Sequence, residues 1–252
     1  MIDLNELTTY LDHLLQVSDF RDAAPNGLQV EGRLQVRRIA SGVTASLEFL
    51  QAAASWKADA VLVHHGYFWK GESPCVDGMK KQRLRLLLGE DMSLLAYHLP
   101  LDVHPRYGNN AQLAGLLGLH VDGYLDCTDV PSLVMTGHLE SPVSAEQFGS
   151  RIERSLGRRP QHISAGERPI RKLAWCSGAA QDYIECAASA GLDAYLSGEI
   201  SERTVYAARE LGIHYFAAGH HATERYGCRA LGEHIAQHFG IDHRHFDIDN
   251  PV

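Results

Sequence analysis

A repeat inside the chain narrows its fold more than any other feature. Residues 49–65 and 183–199 align without a gap at an offset of 134. Ala53 falls on Ala187, Ala54 on Ala188, Ser55 on Ser189, Asp59 on Asp193, Ala60 on Ala194 and Leu62 on Leu196, and upstream Ala40 falls on Ala174. Alanine matches alone follow from helix composition. A helix, an Asp-Ala step and an apolar strand shared in one register point instead to internal duplication. The repeat predicts that 37–65 and 171–199 are equivalent strand-helix-strand units.

The surrounding pattern agrees with an α/β fold. Leu4, Leu7, Leu11, Leu14 and Leu15 recur at helical spacing behind an Asp3-x-x-Glu6 cap. The turn signal Pro25-Asn26-Gly27 precedes short strands near 28–30 and 38–43, a helix at 46–56 and the apolar strand 60–63. A helix near 80–88, a strand at 93–97 and a helix at 110–117 continue an alternation that makes parallel sheet with covering helices. The stretch from Asp122 to Asp129 is acidic and polar, with Pro131 close behind, so the lobes are expected to divide there, at 1–125 and 126–252. The last helix and strand are able to return to the first lobe.

A chain of 252 residues with 45% hydrophobic residues can bury a sizeable core. Its formal net charge of −8 argues against wrapping nucleic acid or coating an anionic membrane, which leaves small molecules as the expected partners. The five cysteines are odd in number and form no C-x-x-C pair. The sequence begins without a basic n-region, and no apolar run approaches about 18 residues. These features lead to the expectation of a cytoplasmic protein without a membrane span.

Fifteen histidines raise the question of clustering. His64-His65 closes the apolar strand and is followed by Gly66. Strand neighbours point to opposite faces, so two adjacent rings can serve one site only at a strand end. The next strand ends in His98-Leu-Pro-Leu-Asp102-Val-His104, and a third delivers Gly219-His220-His221-Ala-Thr-Glu224. His220 and Glu224 are one helical turn apart. Each motif alone has a plain reading as loop histidines, a surface charge or a helix cap. Ligands in open α/β sheets gather beyond the carboxyl ends of strands, and here three such ends each bring imidazole or carboxylate.

That donor set suits zinc, iron or manganese. His64, His65, Asp102, His220 and Glu224 exceed the needs of one structural zinc, so two divalent ions per chain are expected, with Glu224 bridging them. His98 is the preferred candidate to move protons or to brace a ligand, ahead of His104 and Glu199. His234 and His238, and His243 and His245, read as structural or solvated pairs. Arg151, Arg154, Arg158 and Arg159 read as a solvated helix face. No G-x-x-x-x-G-K-[ST], G-x-G-x-x-G or G-x-S-x-G occurs.

Asp59-Ala-Val-Leu-Val-His64-His65-Gly, His98-x-x-x-Asp102 with Gly108-Asn109-Asn110, and Gly219-His220-x-x-x-Glu224 resemble the GTP cyclohydrolase type two homologue family, the Nif-three-like proteins, in its YbgI-type bacterial branch. The Ala24-Pro25-Asn26-Gly27-Leu28-Gln29-Val30-Glu31-Gly32 stretch fits that branch too. Much of the wider family has proline where this chain has Gly66. The resemblance implies two intertwined, internally duplicated α/β lobes with mostly parallel mixed sheets, a dinuclear metal site in the cleft and a ring-shaped homohexamer. Its ligand motif falls on His64, His65, Asp102, His220 and Glu224. The function it implies is a metal-dependent hydrolase acting on a nucleotide or nucleotide-like small molecule. A non-catalytic metal-binding scaffold and an iron-dependent oxidoreductase use the same ligands and stand as alternatives.

Overall fold

In a computed structural model of the chain, the described residues are 1–127 and 131–252; the acidic stretch from Asp122 runs on into 128–130, outside them. The chain opens on strand β1 (Ile2–Asp3) and helix α1 (Leu4–Leu14). The Asp3 carboxylate accepts the Asn5 and Glu6 amides at 2.9 and 3.4 Å, and Leu4, Leu7 and Leu11 are buried, as the cap and spacing predict. Next come β2 (Gly27–Val30), β3 (Gln35–Val36), β4 (Arg38–Thr44), α2 (Leu47–Ser55) behind an N-cap at Ser46, β5 (Ala60–His65), α3 (Gly78–Gly89), β6 (Ser93–Ala96), α4 (Leu99–Val103) and α5 (Asn109–Leu117). The remaining elements are β7 (His120–Tyr124), β8 (Met135–Val143), α6 (Ala145–Leu156), β9 (Gln161–Ile163), β10 (Ile170–Cys176), α7 (Ile184–Ser189), β11 (Ala194–Ser197), α8 (Glu202–Leu211), β12 (His214–Ala217), α9 (His220–Phe239) and β13 (Asp242–His245).

Two compact units result: Met1–Leu101 with Gly227–Asp249, and Asp102–Tyr226 with Asn250–Val252. The first holds a sheet of order β13-β4-β5-β6-β2, parallel except for β2 at its edge. Val61 and Val63 pack with Phe49, Leu50 and Ala53 of α2 and Leu84 and Leu87 of α3, while Ala60 and Leu62 alternate to the other face and are buried as well. Burial on both faces is why this strand reads as an unbroken apolar run.

The second unit holds a sheet of order β7-β8-β10-β11-β12-β9, whose central β10, β11 and β12 are parallel and whose flanking strands are antiparallel. Leu173, Trp175, Leu196 and Phe216 face one core with Phe148 and Ile152 of α6; Ala174, Tyr195 and Tyr215 face another with Ile184, Ala187 and Ala208. Both sheets are mixed, as the resemblance implies.

The duplication extends to register. Ile39 pairs with Ala60 and Ser41 with Leu62 in the first unit, and Leu173 with Ala194 and Trp175 with Leu196, each 134 residues on, in the second. The repeated aspartates explain why that step is shared. Asp59 Oδ2 accepts the Arg37 and Arg38 amides at 2.8 and 2.9 Å, and Asp193 Oδ2 accepts those of Arg171 and Lys172 at 3.0 and 2.8 Å. Arg33 and Arg168 clamp the other oxygens at 2.9 and 2.6 Å. Each aspartate therefore ties the start of one parallel strand to the start of its neighbour. The copies differ between strands, where α2 has nine residues and the second copy has a short 3-10 turn followed by the six residues of α7.

Cys127 and Cys186 form a disulfide, and Cys75, Cys176 and Cys228 are thiols. The sequence carries no signal for that pairing, because its partners lie 59 residues apart and meet only through the second sheet's folding. Among the described residues, no helix is long and apolar enough to cross a membrane.

Candidate metal centre

In the first unit, β5 delivers His64 and His65 at its carboxyl end, and the turn after β6 delivers His98. The three imidazoles each offer a nitrogen within 4.8 Å of the others. Each ring is held through Nδ1. His64 Nδ1 lies 2.9 Å from the Tyr97 carbonyl oxygen, His98 Nδ1 2.8 Å from Asp22 Oδ1, and His65 Nδ1 3.1 Å from the Thr44 hydroxyl. A carbonyl and a carboxylate can only accept, so Nδ1 of His64 and of His98 carries a proton and Nε2 is the nitrogen left to face a ligand. That is the arrangement a metal-binding imidazole needs.

Asp22 is the centre of a further network. Its second oxygen accepts the Leu99 amide and the Asn26 side-chain amide, both at 3.0 Å, while Asn26 Oδ1 accepts the His98 amide at 2.7 Å. Burial alone would raise the Asp22 pKa, but the His98 hydrogen bond and charge, with Asn26 and the Leu99 amide, hold it well below the ordinary carboxylate range. Asp22 was not singled out in the sequence. Its one legible trace is its position four residues before the Asn26 of the turn signal.

In the second unit, Asp102 sits near the end of α4 and is buried, with Oδ1 accepting from Asn109 Nδ2 at 2.9 Å and from the Ser177 hydroxyl at 2.8 Å. Helix α9 begins at His220, so His220 and Glu224 share a face one turn apart, as their spacing predicts, with Nε2 and Oε2 separated by 3.2 Å. Glu224 and Asp102 each offer a carboxylate oxygen, the two within 4.8 Å of each other.

His220 is held by the same device as the other rings: Nδ1 donates to Glu199 Oε1 at 2.7 Å. Glu199 follows β11 at the position that the repeat aligns with His65, and its own carbonyl accepts the Tyr215 hydroxyl. Burial disfavours charge on His220, yet the hydrogen bonds and charges of Glu224 and Glu199 outweigh it and raise the pKa to about 9.

Ser177 and Gly178 form the turn after β10 that reaches this pair. Gly178 has φ +65°, and a Cβ there would collide with Glu224 Oε1 and stand 3.3 Å from His220 Nε2. Gly178 and Ser177 were missed by sequence reasoning, and no motif could have flagged them. They matter because β10 ends where the α9 residues arrive.

Four further histidines take up other tasks. His104 Nδ1 accepts the Arg106 and Tyr107 amides at 3.2 and 3.0 Å, bracing a turn. His234 bonds the Tyr10 hydroxyl at 2.6 Å, and the Ser41 hydroxyl lies between His243 Nε2 at 2.8 Å and His245 Nδ1 at 2.9 Å.

These features define a duplicated α/β protein with histidine and carboxylate groups that can hold a metal ion. The chain belongs to the Duf34/NIF3 (NGG1p interacting factor 3) family, whose pattern matches residues 2–251. It is 55% identical over 251 residues to a Pseudomonas aeruginosa protein named GTP cyclohydrolase 1 type 2 homolog, spanning 100% of this chain and 99% of that one. A relative of the same name from Vibrio cholerae is 54% identical over 249 residues, 98% of each chain. The solved structure of protein ybgI, described as of unknown function, matches with a TM-score of 0.96 at 48% identity over 100% of both chains. The solved structure of TTHA1606 from Thermus thermophilus matches at 0.89 and 30% identity, again over 100% of both.

Proposed function

We propose that this protein is a metal-dependent hydrolase of a nucleotide or nucleotide-like molecule, holding two divalent ions per chain with His64, His65, Asp102, His220 and Glu224. The observation that carries the reading is the common fixing of the imidazoles through Nδ1, by Tyr97, Thr44 and Glu199, which aims Nε2 as a ligand atom. The donor set fits such ions: imidazoles with carboxylates match zinc, iron or manganese, and glycine at position 178 leaves room beside Glu224 and His220. Bound there, divalent ions would act as Lewis acids toward a carbonyl or phosphoryl group and make water more acidic.

The chain's own groups supply the rest. Glu224 is the carboxylate assigned to join the two ions. Asn109 and Ser177 fix the Asp102 carboxylate by its Oδ1, so the group that would hold an ion is already oriented. His98, oriented by Asp22, is the group assigned to carry a proton at Nε2. The name of the relatives supports a nucleotide-like substrate, and the resemblance supports a homohexamer, which light scattering on the purified chain would test.

The decisive experiment is elemental analysis of anaerobically purified protein, followed by a nucleotide hydrolysis screen with zinc, iron or manganese restored. Two ions per chain with turnover of a nucleotide is the expected result. Bound metal without turnover would return the protein to a scaffold role, and no metal in a folded protein would overturn the reading altogether.

A further inference from the structure

The two copies of the duplicated unit differ most in the connection that follows the ligand-bearing strand. From Ala60 to its β6 neighbour Ser93 the chain takes 33 residues, whereas from Ala194 to its β12 neighbour His214 it takes 20. The first copy thus carries 13 extra residues, mostly in the loop 66–77 between β5 and α3. That loop opens with Gly66-Tyr67-Phe68-Trp69, three aromatic rings directly after His64-His65.

The rings have different tasks. Tyr67 is buried, and its hydroxyl donates to the Ala45 carbonyl at 2.7 Å, so it anchors the loop to the core. Trp69 turns back over the histidines: its indole centroid lies 6.1 Å from that of His65 and 5.0 Å from that of His98, edge to face with the latter. Its indole N–H donates to the Gly66 carbonyl at 3.3 Å, which fixes the ring's direction. Phe68 has φ +65°, a conformation that bulky side chains rarely adopt, and the residue is 42% exposed. Hydrophobic packing does not account for a large ring held in a strained backbone and left in water. Lys80 Nζ stands 5.5 Å from the Phe68 centroid.

We infer that the Phe68-Trp69 segment is the recognition wall for a planar heteroaromatic ring, with Trp69 as the specificity-determining residue beside His65 and His98. The chemistry suits such a ligand, because an indole face stacks on any electron-poor planar ring, and base–aromatic stacking is tolerant of the ring's identity. A sugar phosphate without a base has nothing to offer that wall. The inference deepens the proposed hydrolase reading by naming the part of the substrate that is recognised, and it rests on that reading.

The test uses the full-length, metal-reconstituted protein with GMP as probe and ribose 5-phosphate as the ring-free control, in calorimetric titrations. GMP is expected to bind at least about tenfold more tightly than ribose 5-phosphate. Trp69→Leu should remove that preference while leaving the affinity for ribose 5-phosphate and the metal content unchanged, and Trp69→Phe should restore most of it. A merely structural Trp69 would instead lower metal content or weaken both ligands alike. On the unaltered chain GMP should quench tryptophan emission and ribose 5-phosphate should not, which decides the matter if Trp69→Leu fails to fold. Equal affinities for the two probes, or a preference that survives Trp69→Leu, would overturn the inference. Metal content of the same samples separates the two failures: metal-replete protein without the preference sinks the wall alone, and absent metal sinks the ligand assignment.

Discussion

His220 Nδ1 donates to Glu199 Oε1 at 2.7 Å, from the first turn of α9 to the loop after β11. The contact fixes the ring's tautomer as well as its direction, because a carboxylate oxygen can only accept. Glu199 is half-exposed, and the Tyr215 hydroxyl on its carbonyl ties its backbone to β12.

Glu199→Gln tests that role. An amide can still accept a hydrogen bond but no longer raises the basicity of His220, so metal affinity should fall by about 10- to 100-fold with the fold intact. Competition against a chelator measures it. Unchanged affinity would make Glu199 a surface group.

Glu224→Gln asks whether this buried carboxylate joins two ions. Bound metal should drop from about two ions per chain to one or fewer, with the circular dichroism spectrum retained. Full metal content in a folded variant would remove the bridging role from Glu224.

Gly178→Ala and Gly191→Ala separate backbone strain from crowding. Both glycines have positive φ, +65° and +72°, but a Cβ on Gly191 meets nothing within 4 Å whereas one on Gly178 collides with Glu224. Gly191→Ala should cost about 1 kcal/mol in denaturant unfolding. Gly178→Ala should cost more and also lose metal. Equal costs with equal metal content would show that the approach of Gly178 to Glu224 is immaterial.

Stability should fall in mild acid through His243. Burial, aided by His245 and Arg229 and opposed by Glu233, lowers its pKa from 6.5 to about 4. The folded ring refuses a proton that the unfolded chain accepts, so its contribution is whole above pH 6.5 and is lost as pH falls toward 4. Thermal midpoints from pH 7.5 to 4 should therefore decline less steeply in His243→Gln, whose amide can still meet the Ser41 hydroxyl. Parallel curves would assign the acid sensitivity to other groups.

Most elements and the donor groups of the candidate site could be read from neighbouring residues in the chain. Asp59 and Asp193 were legible as a repeat because the same task, tying two strand starts together, was written twice with the same residue at the same offset. His64-His65, Asp102 and His220-x-x-x-Glu224 were legible because strand ends and helical spacing are local, and local geometry is fixed by neighbouring residues. The tertiary structure alone decided which groups brace them. Asp22 reaches His98 across 76 residues and Ser177 reaches Asp102 across 75. The disulfide between Cys127 and Cys186 belongs to the same class. Such contacts depend on which strands become neighbours and in what register, a choice made by burying whole faces of a sheet. No spacing within the chain records it.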